Sequence, residues 1–160
     1  MLNEKDRKVL KELVKNGRIS FADLGRKCHM TRQSVYSRIK SLRNRGIIKN
    51  FTVNLDMKKM NLNLHAYVLI EMEPIRHRDN KKLDFVKSLP QITQIHILFG
   101  RYGYIIEVMT KDMDELKDVV RKIHDLETVR RTETMIVYKT DKYNPQHPVE
   151  GILDSAAGGI

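Results

Sequence analysis

The sequence has one cysteine and no tryptophan in 160 residues. A single cysteine excludes a disulfide framework within the chain and a metal site built on a cysteine cluster. Cys28 therefore reads as a small packed residue. Aromatic residues make up 6%, which argues against a sheet that stacks RNA bases on its strands. Tyr67 and Tyr104 are the candidates for such a platform, and interface packing is the better reading of both. No stretch approaches the ~20 apolar residues of a membrane helix, and no N-terminal apolar run resembles a secretion signal. The expected location is the cytoplasm, with no membrane partner. Gly-rich phosphate loops and nucleophile elbows are lacking too. The six histidines (His29, His65, His77, His96, His124, His147) are scattered, without the i, i+4 spacing of a helical metal pair. No catalytic residue, metal site or cofactor is expected.

What the chain does have is positive charge, unevenly placed. Residues 1–50 hold 14 Lys/Arg against 4 Asp/Glu, an excess of +10, whereas residues 51–160 hold 16 against 16. The whole net charge thus lies in one third of the chain. Such a block attracts phosphate by counterion release. A membrane surface attracts it as well, but the apolar stripes here are narrow and are needed for a small core.

Within that block, Ser20 to Arg45 reads as two short helices joined by a tight turn. Ser20 is an N-cap with Asp23 three residues on, a variant of the capping box. Thr31 is a second N-cap. Between them Cys28-His29-Met30 has the length of a helix-turn-helix turn, and His29 replaces the common glycine. Histidine tolerates a left-handed backbone. In the second helix Val35, Ile39 and Leu42 share an apolar stripe. Gln33, Ser37, Lys40 and Asn44 oppose it, flanked by Ser34, Ser41, Tyr36 and Arg43. Alone, this pattern is more often a solvated surface helix. The two caps, the turn length and the charge distribution make it a DNA reader. Amide and guanidinium groups bond base edges, and the N-terminal half of such a helix meets them. Thr31, Arg32, Gln33, Ser34, Tyr36 and Ser37 are the candidate contacts, with Lys40 and Arg43 placed for phosphates.

The fold class is α+β. An N-terminal, winged helix-turn-helix domain spans residues 1–55, with its first helix over Leu2 to Lys15. Asn3 caps that helix, Glu4 and Asp6 suit its dipole, and Gly17 takes the C′ position. Its core comprises Val9, Leu10, Leu13, Ile19, Leu24, Val35, Ile39 and Leu42. Gly46 stops the reading helix, and the alternation of Phe51 to Leu55 predicts a short ribbon or strand. Residues 56–63 are a polar linker. Residues 64–140 then read strand (His65–Glu73, ended by Pro74), helix (Asp79–Leu89), strand (Ile92–Phe99), strand (Tyr104–Thr110), helix (Asp112–His124) and strand (Val129–Tyr138). This β-α-β-β-α-β order is ferredoxin-like. With both helices on one face, the other face is expected to be broadly apolar and to pair two copies. The tail, 141–160, is expected to be extended or disordered.

Residues 2–140 resemble the Lrp/AsnC, or feast/famine, transcriptional regulators. The opening LNEKDRKVLKELVKNGRISFADLGRKCHMTRQSVYSRIKSLRNRGIIKNFT matches three family features. These are an L-D-x-x-D-x-x-I-L-x-x-L helix, x-G-R-x-S between helices, and a closing R-I-x-x-L-x-x-x-G-I-I. The resemblance implies a homodimer, often assembled into tetramers or octamers, that binds promoter DNA and responds to an amino acid. It also implies an effector loop at Gly100-Arg101-Tyr102-Gly103. The family loop commonly reads Gly-Asp-x-Asp, and both acidic positions are gone here. Two readings of the loop stand: an atypical ligand, such as an acidic one drawn by Arg101, or no effector at all.

The function expected is that of a sequence-specific regulator acting on a pseudo-palindromic duplex. The rival is an architectural, chromatin-like protein that holds phosphates without choosing sequence and has no effector.

Overall fold

The computed structural model describes residues 2–73 and 80–155. Pro74, His77, Asp79 and the last five residues lie outside the described residues, as does the side chain of Leu83. The chain forms two compact units, Met1–Asn54 with Lys142–Ile160, and Leu55–Asp141.

The first unit begins with α1 (Glu4–Lys15), α2 (Phe21–Cys28) and α3 (Arg32–Asn44). Each starts on a side chain that accepts an otherwise unpartnered amide. Asn3 accepts from Asp6 N–H (2.8 Å), Ser20 from Asp23 N–H (3.0 Å), and Thr31 from Ser34 N–H (3.1 Å). α3 ends on a Schellman motif. Gly46, at φ 69°, donates to Arg43 O, and Ile47 donates to Leu42 O. α1 closes differently from the expectation. Asn16 is extended and donates to Glu12 O, and Gly17 takes no left-handed φ.

Val9, Leu10, Leu13, Leu24, Cys28, Val35, Ile39 and Leu42 are buried together, with Ile19 at the margin. Burial raises the pKa of the Cys28 thiol, so this cysteine is a packed apolar group. A ninth member is Leu153, 6% exposed. It belongs to a helix, α6 (His147–Ser155), packed on α1. The tail is therefore not extended throughout. Its Leu153 completes a core supplied by residues more than a hundred positions away.

The strand or ribbon expected near Phe51 to Leu55 does not form. No residue from 47 to 55 is in a strand, and Phe51, Val53 and Leu55 are exposed. A ribbon needs a second strand to bond with, and no described segment of the chain supplies one.

The second unit contains β1 (Leu64–Met72), α4 (Asn80–Ser88), β2 (Ile92–Ile97), β3 (Tyr104–Thr110), α5 (Met113–His124) and β4 (Val129–Ile136). The sheet order is β2-β3-β1-β4, antiparallel throughout. This is the ferredoxin-like arrangement the pattern predicts. Val86 of α4, Leu89 just beyond its end, and Leu116, Val119 and Ile123 of α5 pack on Ala66, Val68, Ile70, Ile106 and Val108. Tyr104 is partly buried and packs against the same core. Tyr67 sits opposite Glu107 on the other face, so the two tyrosines form no joint platform.

That other face is less apolar than expected. Leu69, Ile105, Met109 and Met135 surround a polar cluster centred on Glu107. Its carboxylate accepts from Thr93 Oγ1 at 2.7 Å and from Tyr67 OH at 3.4 Å, and lies 2.8 Å from His65 Nε2. Register explains the difference. Glu107 is one residue from both Ile106 and Val108, so strand alternation turns it away from the helices.

Candidate nucleic-acid interface

The turn between α2 and α3 is set by local backbone chemistry. His29 adopts φ 54°, ψ 49°, the left-handed conformation predicted for it. Met30 N–H then donates to Gly25 O at 2.8 Å. A Cβ on Gly25 would lie 2.6 Å from Met30 O, closer than a carbon can approach a carbonyl. Gly25 thus lets α2 close against the turn. The sequence reading passed over it, and a glycine inside an eight-residue helix was the available signal.

α3 buries Val35, Ile39 and Leu42 and turns its other faces outward. Of the predicted contacts, Arg32, Gln33, Tyr36, Ser37, Lys40 and Arg43 are exposed and Ser34 is half-buried. Thr31 is the cap. Tyr36 leans on Phe21, ring centroids 6.1 Å apart. Beside it runs a groove of about 690 Å³, floored by Phe21 and Ile39 and edged by Lys40, Arg43, Asn44 and Lys49. Lys49 and Asn44 were not among the predicted contacts.

The electrostatics of this unit are partitioned. Residues 1–50 contain four carboxylates, Glu4, Asp6, Glu12 and Asp23. Glu4 pairs with Lys8, Glu12 with Lys15 and Lys27, and Asp23 with Arg26. Asp6 bridges α1 to the far side of α3, where its oxygens lie 2.9 Å from Arg38 Nη1 and 3.1 Å from Arg45 Nη1. By contrast, the side chains of Arg32, Gln33, Lys40 and Arg43 make no hydrogen bond or ion pair among the described residues. No carboxylate belongs to α3. The reading helix thus keeps Arg32, Lys40 and Arg43 without an ion-paired carboxylate among the described residues, as do Lys5, Arg18 and Lys49 elsewhere in this unit.

Asp6 was read only as a dipole partner. It is 4% exposed. Burial pushes its carboxyl pKa up. Hydrogen bonds from Arg38, Arg45 and the Asn3 backbone outweigh this and hold it below the usual value.

In the second unit, Gly100 has φ 139°, a conformation that needs glycine. Arg101 lies over the Tyr102 ring, 5.5 Å from its centroid, with Nε 3.8 Å from Glu71 Oε2. Glu71 also meets Arg130 at 3.3 Å. Tyr102 OH donates to Glu133 at 2.5 Å, and this bond to a carboxylate raises its pKa. Glu71 of β1 and Glu133 of β4 thus bring to the loop the carboxylates its own sequence lacks. Spacing along the chain gave no sign of them.

Two capped helices on a tight turn, with an uncompensated basic face on the second, define a helix-turn-helix DNA-binding protein. Residues 2–49 match the family model described as winged helix-turn-helix DNA-binding, and residues 65–146 match that of the Lrp/AsnC ligand binding domain. An uncharacterised HTH-type transcriptional regulator of Pyrococcus furiosus is 33% identical over 144 residues, covering 89% of this chain and 96% of that protein. The transcriptional regulator AzlB of Bacillus subtilis is 28% identical over 152 residues, 94% of this chain and 97% of that one. The crystal structure of a Neisseria meningitidis transcriptional regulator in complex with L-Met superposes with a TM-score of 0.84 at 21% identity, covering 93% of this chain and 99% of that one. The chain belongs to the Lrp/AsnC family. It is a transcriptional regulator with a helix-turn-helix and a ligand-binding domain, and not an enzyme. Among the described residues no helix is long and apolar enough to cross a membrane.

The Asp6 bridge makes a pH prediction. A carboxyl whose folded pKa is depressed stabilises the fold above its unfolded value, about 4, and loses that contribution as pH falls through the folded value. At pH 7, Asp6→Ala is expected to cost about 2–3 kcal/mol, less than for a fully buried pair because both arginines keep solvent contact. The gap between wild type and variant should close below pH ~4. Denaturant melts across pH measure it, and a gap that persists at low pH would assign the cost to packing.

Proposed function

We propose that this chain is a sequence-specific regulator. It acts in the cytoplasm as a homodimer or higher oligomer, with α3 of each copy reading one half of a pseudo-palindromic duplex. One observation carries the reading. All four carboxylates of residues 1–50 are engaged away from the outer face of α3, while Arg32, Gln33, Lys40 and Arg43 remain unengaged among the described residues. Arg32, Gln33, Ser34, Tyr36 and Ser37 are the proposed base-edge contacts, with Thr31 at the backbone and Lys40 and Arg43 on phosphates. Dimerisation is supported by the sheet face that α4 and α5 leave uncovered, where Leu69, Ile105, Met109 and Met135 lie.

Gly100, Arg101, Tyr102 and Gly103 are the proposed effector contact. Arg101 and Arg130 already share Glu71, so the loop offers cation and carboxylate together. That pairing suits a zwitterionic amino acid better than a plain acid. The Neisseria structure, a complex with L-Met, agrees with this choice of ligand class. Calorimetric titration is expected to give binding heat with neutral amino acids. Heat with dicarboxylic acids alone would reverse the assignment.

The DNA reading is tested by selecting duplexes from a random pool with wild type and with Gln33→Ala. Wild type is expected to enrich a pseudo-palindrome with half-sites about one helical turn apart. Gln33→Ala should relax one position per half-site at a cost of about 1–3 kcal/mol, whereas Arg43→Ala should weaken all sequences alike. An unsymmetric site would remove the dimer. An unchanged preference in Gln33→Ala would move the register of α3. No enrichment at all would favour the architectural protein.

A further inference from the structure

A second cleft, of about 300 Å³, borders α3 on the flank away from Tyr36. At 3.6 residues per turn, Gln33, Lys40 and Asn44 point directly away from the buried stripe. Tyr36 and Arg43 lie to one side of them, at the groove that Lys49 completes. Ser34, Ser41, Arg38 and Arg45 lie to the other side, and together with Ser37 they line the second cleft. The reading face thus has a basic recess along each flank.

The second recess has the chemistry of an anion seat. Asp6 faces Arg38 and Arg45 there, so the residues lining the cleft hold one carboxylate and two guanidiniums. The hydroxyls of Ser34, Ser37 and Ser41 make no hydrogen bond among the described residues. Arg38 Nε, inside the cluster, has no hydrogen-bond partner either. Three hydroxyl donors beside two guanidiniums suit a phosphodiester, whose anionic oxygens accept hydrogen bonds. A helix with its side chains is about 10–12 Å across and the major groove is about 12 Å wide. A helix seated there has a phosphate backbone along both flanks.

Resting on the DNA reading above, we propose that this cleft seats a backbone phosphate of one strand while Lys40, Arg43 and Lys49 hold the other. Ser41, Arg38 and Arg45 then join the DNA contacts. Asp6 serves both functions, tying α3 to α1 and presenting the two guanidiniums. A seat on each flank fixes the rotation of α3 about its own axis, which decides whether Gln33 meets a base edge.

Ser41 is exposed and makes no side-chain bond among the described residues, so Ser41→Asp changes the charge of the cleft with little cost to the fold, as a thermal melt will verify. It is expected to weaken the selected duplex and a random duplex alike, by about tenfold or more, and to lower the salt slope by about one. A single uncharged methylphosphonate, scanned through each half-site, should reproduce the loss in wild type at one position and cost Ser41→Asp nothing further there. Wild-type affinity in Ser41→Asp, or losses that add at every position, would overturn the seat while leaving the α3 reading intact. If instead the wild-type chain shows no Gln33-dependent preference, it is the DNA reading that fails. Inorganic phosphate at about 10 mM should leave the melting temperature where chloride of equal ionic strength leaves it. A rise would assign the cleft to a small free anion.

Discussion

The reading unit depends on one carboxylate. Asp6 sits in the first turn of α1, is almost wholly buried, and joins α1 to Arg38 of α3 and to Arg45, which caps that helix. The apolar core alone leaves some freedom, because hydrophobic contact is non-directional. A bidentate carboxylate between two guanidiniums adds direction. It sets how α3 is turned on its own core, and so which side chains face outward. The same bridge removes Arg38 from the freely exposed cations of α3 and leaves Arg32, Lys40 and Arg43 as its unengaged ones.

The second unit applies a similar logic to a different problem. Its helices cover one face of the sheet with a continuous apolar core. Its other face mixes apolar side chains with the Glu107 cluster, in which Thr93, Tyr67 and His65 satisfy the carboxylate. A satisfied polar group within an apolar surface specifies geometry, because any misaligned partner leaves it without hydrogen bonds. At the end of the same sheet, Glu71 and Glu133 hold Arg101 and Tyr102 in a loop that has no carboxylate of its own. The loop is therefore arranged by charges from β1 and β4.

What was legible in the sequence was local. Asn3, Ser20 and Thr31 cap their helices because a cap and its amide lie three residues apart, within reach of a pattern. His29 and Gly46 take the left-handed backbone for similarly short-range reasons. The order of strands and helices followed from the change of apolar period. What was hidden was non-local. Asp6 looks like any first-turn acid until Arg38 and Arg45, over thirty residues on, fold against it. Leu153 looks like part of a weak tail until α1 supplies its partner. Phe51 to Leu55 has the alternation of a strand, but alternation does not provide the neighbour that a strand requires. Glu71 and Glu133 come to the effector loop only through strand pairing.

The central claim is that α3 selects sequence rather than merely gathering phosphate. The most direct measurement is the ratio of affinities for the selected duplex and for a random one of equal length, at physiological salt. A ratio of roughly 10³ or more is predicted for a regulator. A ratio near one, with binding that vanishes as salt is raised, would contradict it and leave the basic unit as a holder of DNA backbone alone.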